Sequence, residues 1–259
     1  MNLLIRRRLL HALDNHGLRG LLLRALRRLV PSRASSRTSA AEAPPNLADL
    51  LHPFDQLHAS DTGGYIPGEQ LAESAPSSLS RPDLYNTAYY GISPSTLTEA
   101  LRHLPLPPDR FTFVDLGCGK GRALLVAATF PFPHILGVEI SSNLCEIARR
   151  NTTSYPQITI IHHDVTTFHH PETSLILYLY HPFLAPLLRQ LLRNLERQFR
   201  SSPREIFLLY ANPTYPRVMA RFPFLKQVWD FTFPLSPEDA AADRHSTTEE
   251  HYTLYRAEL

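Results

Sequence analysis

The sequence predicts an α/β protein: a doubly wound, mostly parallel sheet of about seven strands, with an N-terminal helical extension. Three observations carry this expectation. First, residues 113–122 run Phe-Val-Asp-Leu-Gly-Cys-Gly-Lys-Gly-Arg, and a helical pattern continues from there to residue 130. Apolar residues leading into three glycines on alternate positions, then a helix, describe a strand, a tight turn and a helix N-terminus. Second, strand-like and helix-like segments alternate from that point almost to the C-terminus, the pattern of strands with crossover helices. Third, the first three strand-like runs each carry or end in a carboxylate, Asp115, Glu139 and Asp164. Open sheets of this kind bind ligands at the strands' C-terminal edge.

The elements follow in chain order. Residues 1–30 form a basic amphipathic segment, with Leu18, Leu21, Leu22, Ala25, Leu26 and Leu29 on one face and Arg19, Arg24, Arg27 and Arg28 on the other. Three readings stand open for it: packing on the body of the protein, lying on an anionic membrane surface, or acting as an organelle-targeting peptide. Residues 31–46, rich in Ser, Ala, Arg and Pro, read as a flexible linker. Residues 47–104 are expected to form a helical lid or substrate region, with helices near 47–57 and 95–104. A turn lies at 61–65, and Tyr65, Tyr85, Tyr89 and Tyr90 are lid candidates. Residues 105–259 are expected to be the ligand-binding domain.

Within it, residues 134–139 predict a second strand ending in Glu139. Ser141 or Ser142 then caps a helix to about Asn151. Residues 158–164 predict a third strand ending in Asp164, and 174–180 a buried fourth. An amphipathic helix over 184–200 follows, then a fifth strand over 206–210 and a short helix over 214–221. Residues 228–233 and 252–255 are expected to be two antiparallel strands, and the polar stretch 236–250 between them a mobile loop.

Composition narrows the classes. The chain has 259 residues, 43% of them hydrophobic, enough for one substantial domain plus an extension. A net charge of +2 demands no nucleic-acid partner. Two cysteines, Cys118 and Cys145, give neither a disulfide framework nor metal-ligand spacing, and a reducing, cytoplasmic compartment is expected. His162, His163, His169, His170 and His181 do not form a metal motif, because adjacent strand residues point to opposite faces. No metal is expected. No apolar run reaches the ~18 residues of a membrane span, so any membrane contact would be peripheral, through residues 1–30.

The Asp-x-Gly-x-Gly-x-Gly spacing fits neither the dinucleotide fingerprint nor a phosphate-cradling loop. It resembles motif I of the class I, Rossmann-like S-adenosylmethionine-dependent methyltransferases. The resemblance spans roughly residues 85–220 and implies S-adenosyl-L-methionine as cofactor. It places Gly117, Gly119 and Gly121 under the methionine part and Asp115 near its amino group. Glu139 falls on the ribose hydroxyls and Asp164 on the adenine amine. The resemblance also implies that the seventh strand enters the sheet reversed. Through Asp-Leu-Gly-x-Gly the loop is weakly similar to Rossmann-type histone-lysine methyltransferases as well.

Methyl transfer from a sulfonium needs alignment rather than a nucleophile triad. In this family the acceptor lies beside the loop after the fourth strand, here Tyr180-His181-Pro182-Phe183. The motif resembles an Asn-Pro-Phe form with His181 in place of the amide. His181 is expected to orient or deprotonate the acceptor, with Tyr180 and Phe183 walling the pocket; alternatively His181 merely ends a strand. Tyr210 and Asn212 are secondary candidates. The acceptor is an unidentified small molecule or protein side chain, with nitrogen weakly suggested. Two rival functions are a non-catalytic scaffold of the same fold, held at a membrane by residues 1–30, and a nicotinamide-dependent oxidoreductase.

Overall fold

The computed structural model describes residues 52–67, 88–180, 183–243 and 247–259. The expected extension 1–30 and linker 31–46, together with Tyr85 and His181, lie outside the described residues.

Two short strands, β1 (Tyr65–Pro67) and β2 (Ala88–Tyr90), pair antiparallel as a separate ribbon, with Tyr65 opposite Tyr90. The main sheet contains β3 (Thr112–Leu116), β4 (His134–Glu139), β5 (Ile158–His162), β6 (Leu175–Tyr180), β7 (Ile206–Ala211), β8 (Leu225–Pro234) and β9 (Glu249–Ala257), in the order β5-β4-β3-β6-β7-β9-β8. The β3, β4, β5, β6 and β7 pairings are parallel, whereas β9 runs antiparallel to both β7 and β8. The predicted architecture is therefore present, including the central first strand of the α/β unit and the reversed last strand.

Helices α1 (Pro53–His58), α2 (Pro94–Arg102), α3 (Arg122–Ala127), α4 (Ser142–Asn151), α5 (Ala185–Ser201), α6 (Pro216–Met219) and α7 (Pro237–Ala242) surround the sheet. Strand alternation separates two cores. Leu175, Leu177 and Leu179 of β6 and Leu208 of β7 face Leu188, Leu191, Leu192 and Leu195 of α5. Ile176 and Tyr178 of β6, with Phe207 and Leu209 of β7, face the opposite core with Leu97 and Leu101 of α2 and Leu124 of α3. A helix such as α5 forms because its leucines recur at helical spacing. Because α2 contributes fully buried leucines to that second core, it is an integral layer of the sheet's fold.

One expectation fails. Residues 236–250 are not simply a loop. Pro237–Ala242 is helical, the Ser236 hydroxyl accepts from the Asp239 N–H at its N-terminus, and β9 begins at Glu249. The acids of this stretch that looked solvated, Asp239 and Glu250, are buried. Asp239 accepts from the Ser95 N–H and hydroxyl and faces His52 at 3.2 Å. These partners lie far away in sequence, which is why composition alone suggested mobility.

Candidate active site

The loop after β3 is built by backbone conformation. Gly117, Gly119 and Gly121 have φ of 98°, 54° and 91°. Other residues adopt that region only at a cost. Gly119 has a second constraint: a Cβ there would stand 2.4 Å from the Tyr89 ring, so the aromatic side chain of β2 lies directly on the loop.

The three acids meet in one cleft of about 890 Å³, its mouth included, at the C-terminal ends of β3, β4, β5 and β6. Asp115, Glu139, Asp164, Gly117 and Gly119 all line it. Glu139 is held by backbone donors: the Gly119 N–H donates to one oxygen at 3.0 Å, and Ile140 and Ser141 N–H to the other at 2.8 and 2.9 Å. Burial still pushes its carboxyl above the usual range, although those N–H groups oppose the shift. Asp115 is also buried but receives no hydrogen bond from the described residues. Burial, with the Glu139 charge beside it, holds its carboxyl well above the usual range. Asp164 uses Oδ1 for the Thr166 N–H and hydroxyl, both at 2.8 Å, and Oδ2 has no donor among the described residues. Buried acids with spare acceptor capacity suit a cationic ligand bearing hydroxyls and an amine. S-Adenosylmethionine has those groups: Asp115 would take its ammonium, Glu139 its ribose hydroxyls and Asp164 the adenine amine.

Two basic residues of the turn, Lys120 between the glycines and Arg122 just after them, carry contacts the sequence did not reveal. Arg122 is buried, and its guanidinium donates to Asp55 Oδ2 at 3.0 Å, Thr62 Oγ1 at 2.7 Å and the Ile92 carbonyl at 3.1 Å. Asp55 also accepts from the Ser60 hydroxyl and the Thr62 N–H, each at 2.8 Å. Burial works to raise the Asp55 carboxyl, but these hydrogen bonds and the Arg122 charge together hold it below the ordinary range. Lys120 donates to Asp61 and to the Gly63 carbonyl, both at 2.9 Å. The segment around residues 52–64 is thus latched onto the glycine loop. Two signals were available, a lysine and an arginine inside a glycine turn, but their partners are about sixty residues away.

On the other side of the cleft stand Tyr90, Tyr178, Tyr180 and Phe183. Tyr180 and Phe183 line the cleft; His181 and Pro182 between them lie outside the described residues. Tyr180 donates to Glu250 Oε1 at 2.6 Å, and its ring meets that of Tyr90 edge-on at 5.6 Å. Tyr210 and Asn212 do not join them. Tyr210 is buried in the α5 core, and Asn212 pairs with the His251 backbone through its own N–H and its side-chain oxygen. Tyr65 is exposed and away from the cleft. Among the described histidines, His162 bonds the Ile140 carbonyl and His163 that of Asp164, and His170 is buried in apolar surroundings. Among the described residues there is no group of three or more His, Cys, Asp or Glu placed to hold a metal, and no helix long and apolar enough to cross a membrane.

Comparison with known proteins agrees with this geometry. Residues 113–201 match the family profile described as a methyltransferase domain. About a third of the chain, lying on the central strands of the Rossmann-like sheet, is thus similar to a methyltransferase domain. The match is to that domain as such, and kinship with histone-lysine enzymes is not among the findings. No curated protein is similar enough to count as a relative. Among solved structures, the chain is similar to the N-methyltransferase NodS from Bradyrhizobium japonicum in complex with S-adenosyl-L-homocysteine, with 12% identity, 57% of this chain and 79% of that one covered, and a TM-score of 0.43. A geranyl diphosphate methyltransferase in complex with geranyl diphosphate and sinefungin has 15% identity over 63% and 76% of the two chains, with a TM-score of 0.43. A methyltransferase from Leishmania major has 12% identity over 62% and 70%, with a TM-score of 0.48. At these identities and scores, no substrate carries over.

Proposed function

We propose that the protein transfers the methyl group of S-adenosylmethionine to a nitrogen acceptor held between Tyr180 and Phe183. The observation that carries the reading is the convergence of Asp115, Glu139 and Asp164 with the glycine turn in a single cleft whose opposite wall is aromatic. When bound, the cofactor supplies an electrophilic methyl on a sulfonium. The protein's residues supply alignment and exclusion of water. Glu139, fixed by three backbone donors, sets the ribose. Tyr89, lying on Gly119, covers the loop. Tyr90, Tyr180 and Phe183 bound the space the acceptor would enter. His181, between Tyr180 and Phe183 in sequence, is assigned to orient the acceptor.

Calorimetric titration with S-adenosylmethionine, S-adenosylhomocysteine and NAD tests the cofactor. Binding of the first two, absence of NAD binding and loss of binding in the Asp115→Ala/Glu139→Ala double variant are expected. NAD binding, or unchanged affinity in the double variant, would overturn the reading. His181→Ala should lower turnover and leave cofactor affinity nearly unchanged; unchanged turnover removes that residue from the mechanism.

A further inference from the structure

Glu250 of β9 belongs to none of the three strands that supply the cofactor acids. It is buried, and among the described residues every side chain that hydrogen-bonds to it does so through a hydroxyl. Thr96 Oγ1 donates to Oε2 at 2.5 Å, Tyr252 to Oε2 at 3.3 Å and Tyr180 to Oε1 at 2.6 Å. Ser93, at the N-terminus of α2, adds its own hydroxyl. Donation from this many hydroxyls is the environment of an ionised carboxylate, which only accepts. No Lys, Arg or His pairs with it among the described residues. Neighbouring His251 instead places its ring against Asp230, at 2.5 Å, and Arg122 is already engaged by Asp55. A buried carboxylate without a counter-cation is costly. The side chain between Glu250 and the cleft is Tyr180, and Tyr90 stands edge-on to it. In the same wall, the hydroxyl of fully buried Tyr178 has no hydrogen-bond partner among the described residues.

The geometry points to an ammonium-selective acceptor subsite: Tyr90, Tyr178 and Tyr180 receive an alkylammonium, Glu250 behind Tyr180 supplies the charge that selects it, and before transfer one ammonium proton passes to the Tyr180 oxygen as the Tyr180 proton moves to Glu250, which frees the nitrogen lone pair to form the C–N bond as the methyl–sulfur bond breaks. This rests on the proposed methyl transfer and names its acceptor class. A cation beside aromatic faces gains from the ring quadrupoles. The unpartnered Tyr178 oxygen can accept one N–H. The Tyr180 oxygen, whose proton points to Glu250 and which accepts from the Tyr90 hydroxyl, has one lone pair left for another. A neutral alcohol of the same size gains the hydrogen bonds but not the charge. Glu250 acts through Tyr180 and is a positioning residue. Burial also pushes its carboxyl above the ordinary range, against the pull of its four hydroxyls, which is the behaviour of an acid lacking its cation.

The test uses the full chain saturated with S-adenosylhomocysteine, titrated with n-butylammonium and, separately, with 1-butanol. The wild type should prefer the ammonium at least tenfold. Glu250→Gln, nearly isosteric, should bring that ratio close to one and leave affinity for S-adenosylhomocysteine within error. Tyr180→Phe, which removes only the hydroxyl, should weaken ammonium binding several-fold and serves as the readout should Glu250→Gln fold poorly. No preference in the wild type, or a preference that survives both substitutions, overturns the subsite. Failure of the wild type to bind S-adenosylhomocysteine at all would instead overturn the proposed function.

Discussion

The two sides of the cleft hold their buried acids in different ways. Glu139, on the cofactor side, is fixed by three backbone N–H groups of neighbouring loops. Glu250, behind the acceptor side, is fixed by hydroxyl side chains from α2, β6 and β9. Backbone donors cannot be exchanged by substitution, so the first arrangement survives sequence drift. Hydroxyls can be replaced one at a time, so the second can be retuned. The difference teaches that one cleft can hold one acid by groups no substitution removes and another by groups that single substitutions can.

Three substitutions would break or sharpen that contrast. The largest effect is expected at the latch beneath the cofactor side. Arg122→Met leaves Asp55 buried with its cation gone, which should cost about 3–5 kcal/mol in urea unfolding. The double variant Arg122→Met/Asp55→Leu should recover most of that loss. A single variant as stable as wild type would show that the pair does not anchor the loop.

Gly119→Ala comes next. It asks a side chain to adopt φ of 54° and to enter space taken by the Tyr89 ring. About 1–2 kcal/mol of backbone strain and a similar steric cost predict a loss of affinity for S-adenosylhomocysteine of roughly a hundredfold by calorimetry. Wild-type affinity in this variant would mean that the loop rearranges freely, and the rigid half of the comparison would be lost.

The smallest effect is expected for Glu139→Gln, which exchanges charged for neutral hydrogen bonds at about 1 kcal/mol, or roughly a fivefold to tenfold weaker S-adenosylmethionine affinity. A pH series sharpens this. The Glu139 and Asp115 carboxyls are raised by burial. Their ionised forms, which a cation needs, are complete only above those raised values. Affinity should therefore rise with pH and fall with acidification, the fall beginning above the ordinary carboxylate range of about 4. S-Adenosylmethionine, with its sulfonium charge, should lose more than S-adenosylhomocysteine. Equal, flat profiles for both ligands would show that these acids do not face the charge.

Legibility in the sequence follows the same division. The proposed cofactor side is contiguous: Asp115, the glycines and Glu139 occupy one strand-turn-helix-strand unit, so the motif and its resemblance were enough to single them out. Asp164 followed from the next strand end. The sheet was legible because β6 and β7 alternate between two cores residue by residue. The latch was not, since Asp55 and Thr62 meet Arg122 only through tertiary packing. Nor was Glu250, because residues 236–250 look polar and their burial depends on His52, Ser95 and Thr96 closing over them. One local signal was present there: Ser236-Pro237-Glu238-Asp239 has a capping serine, a first-turn proline and acids, a helix start that was read as loop.

The guanidinium of Arg122 also sets a rule for anyone trimming this chain. A shortened version starting just upstream of β3 would keep the three glycines of the loop and all three acids proposed to hold the cofactor. It would nonetheless strand a buried cation, stripped of Asp55 and of the Thr62 hydroxyl. The smallest piece able to stand alone must therefore begin no later than residue 52, well outside the segment recognisable as a methyltransferase.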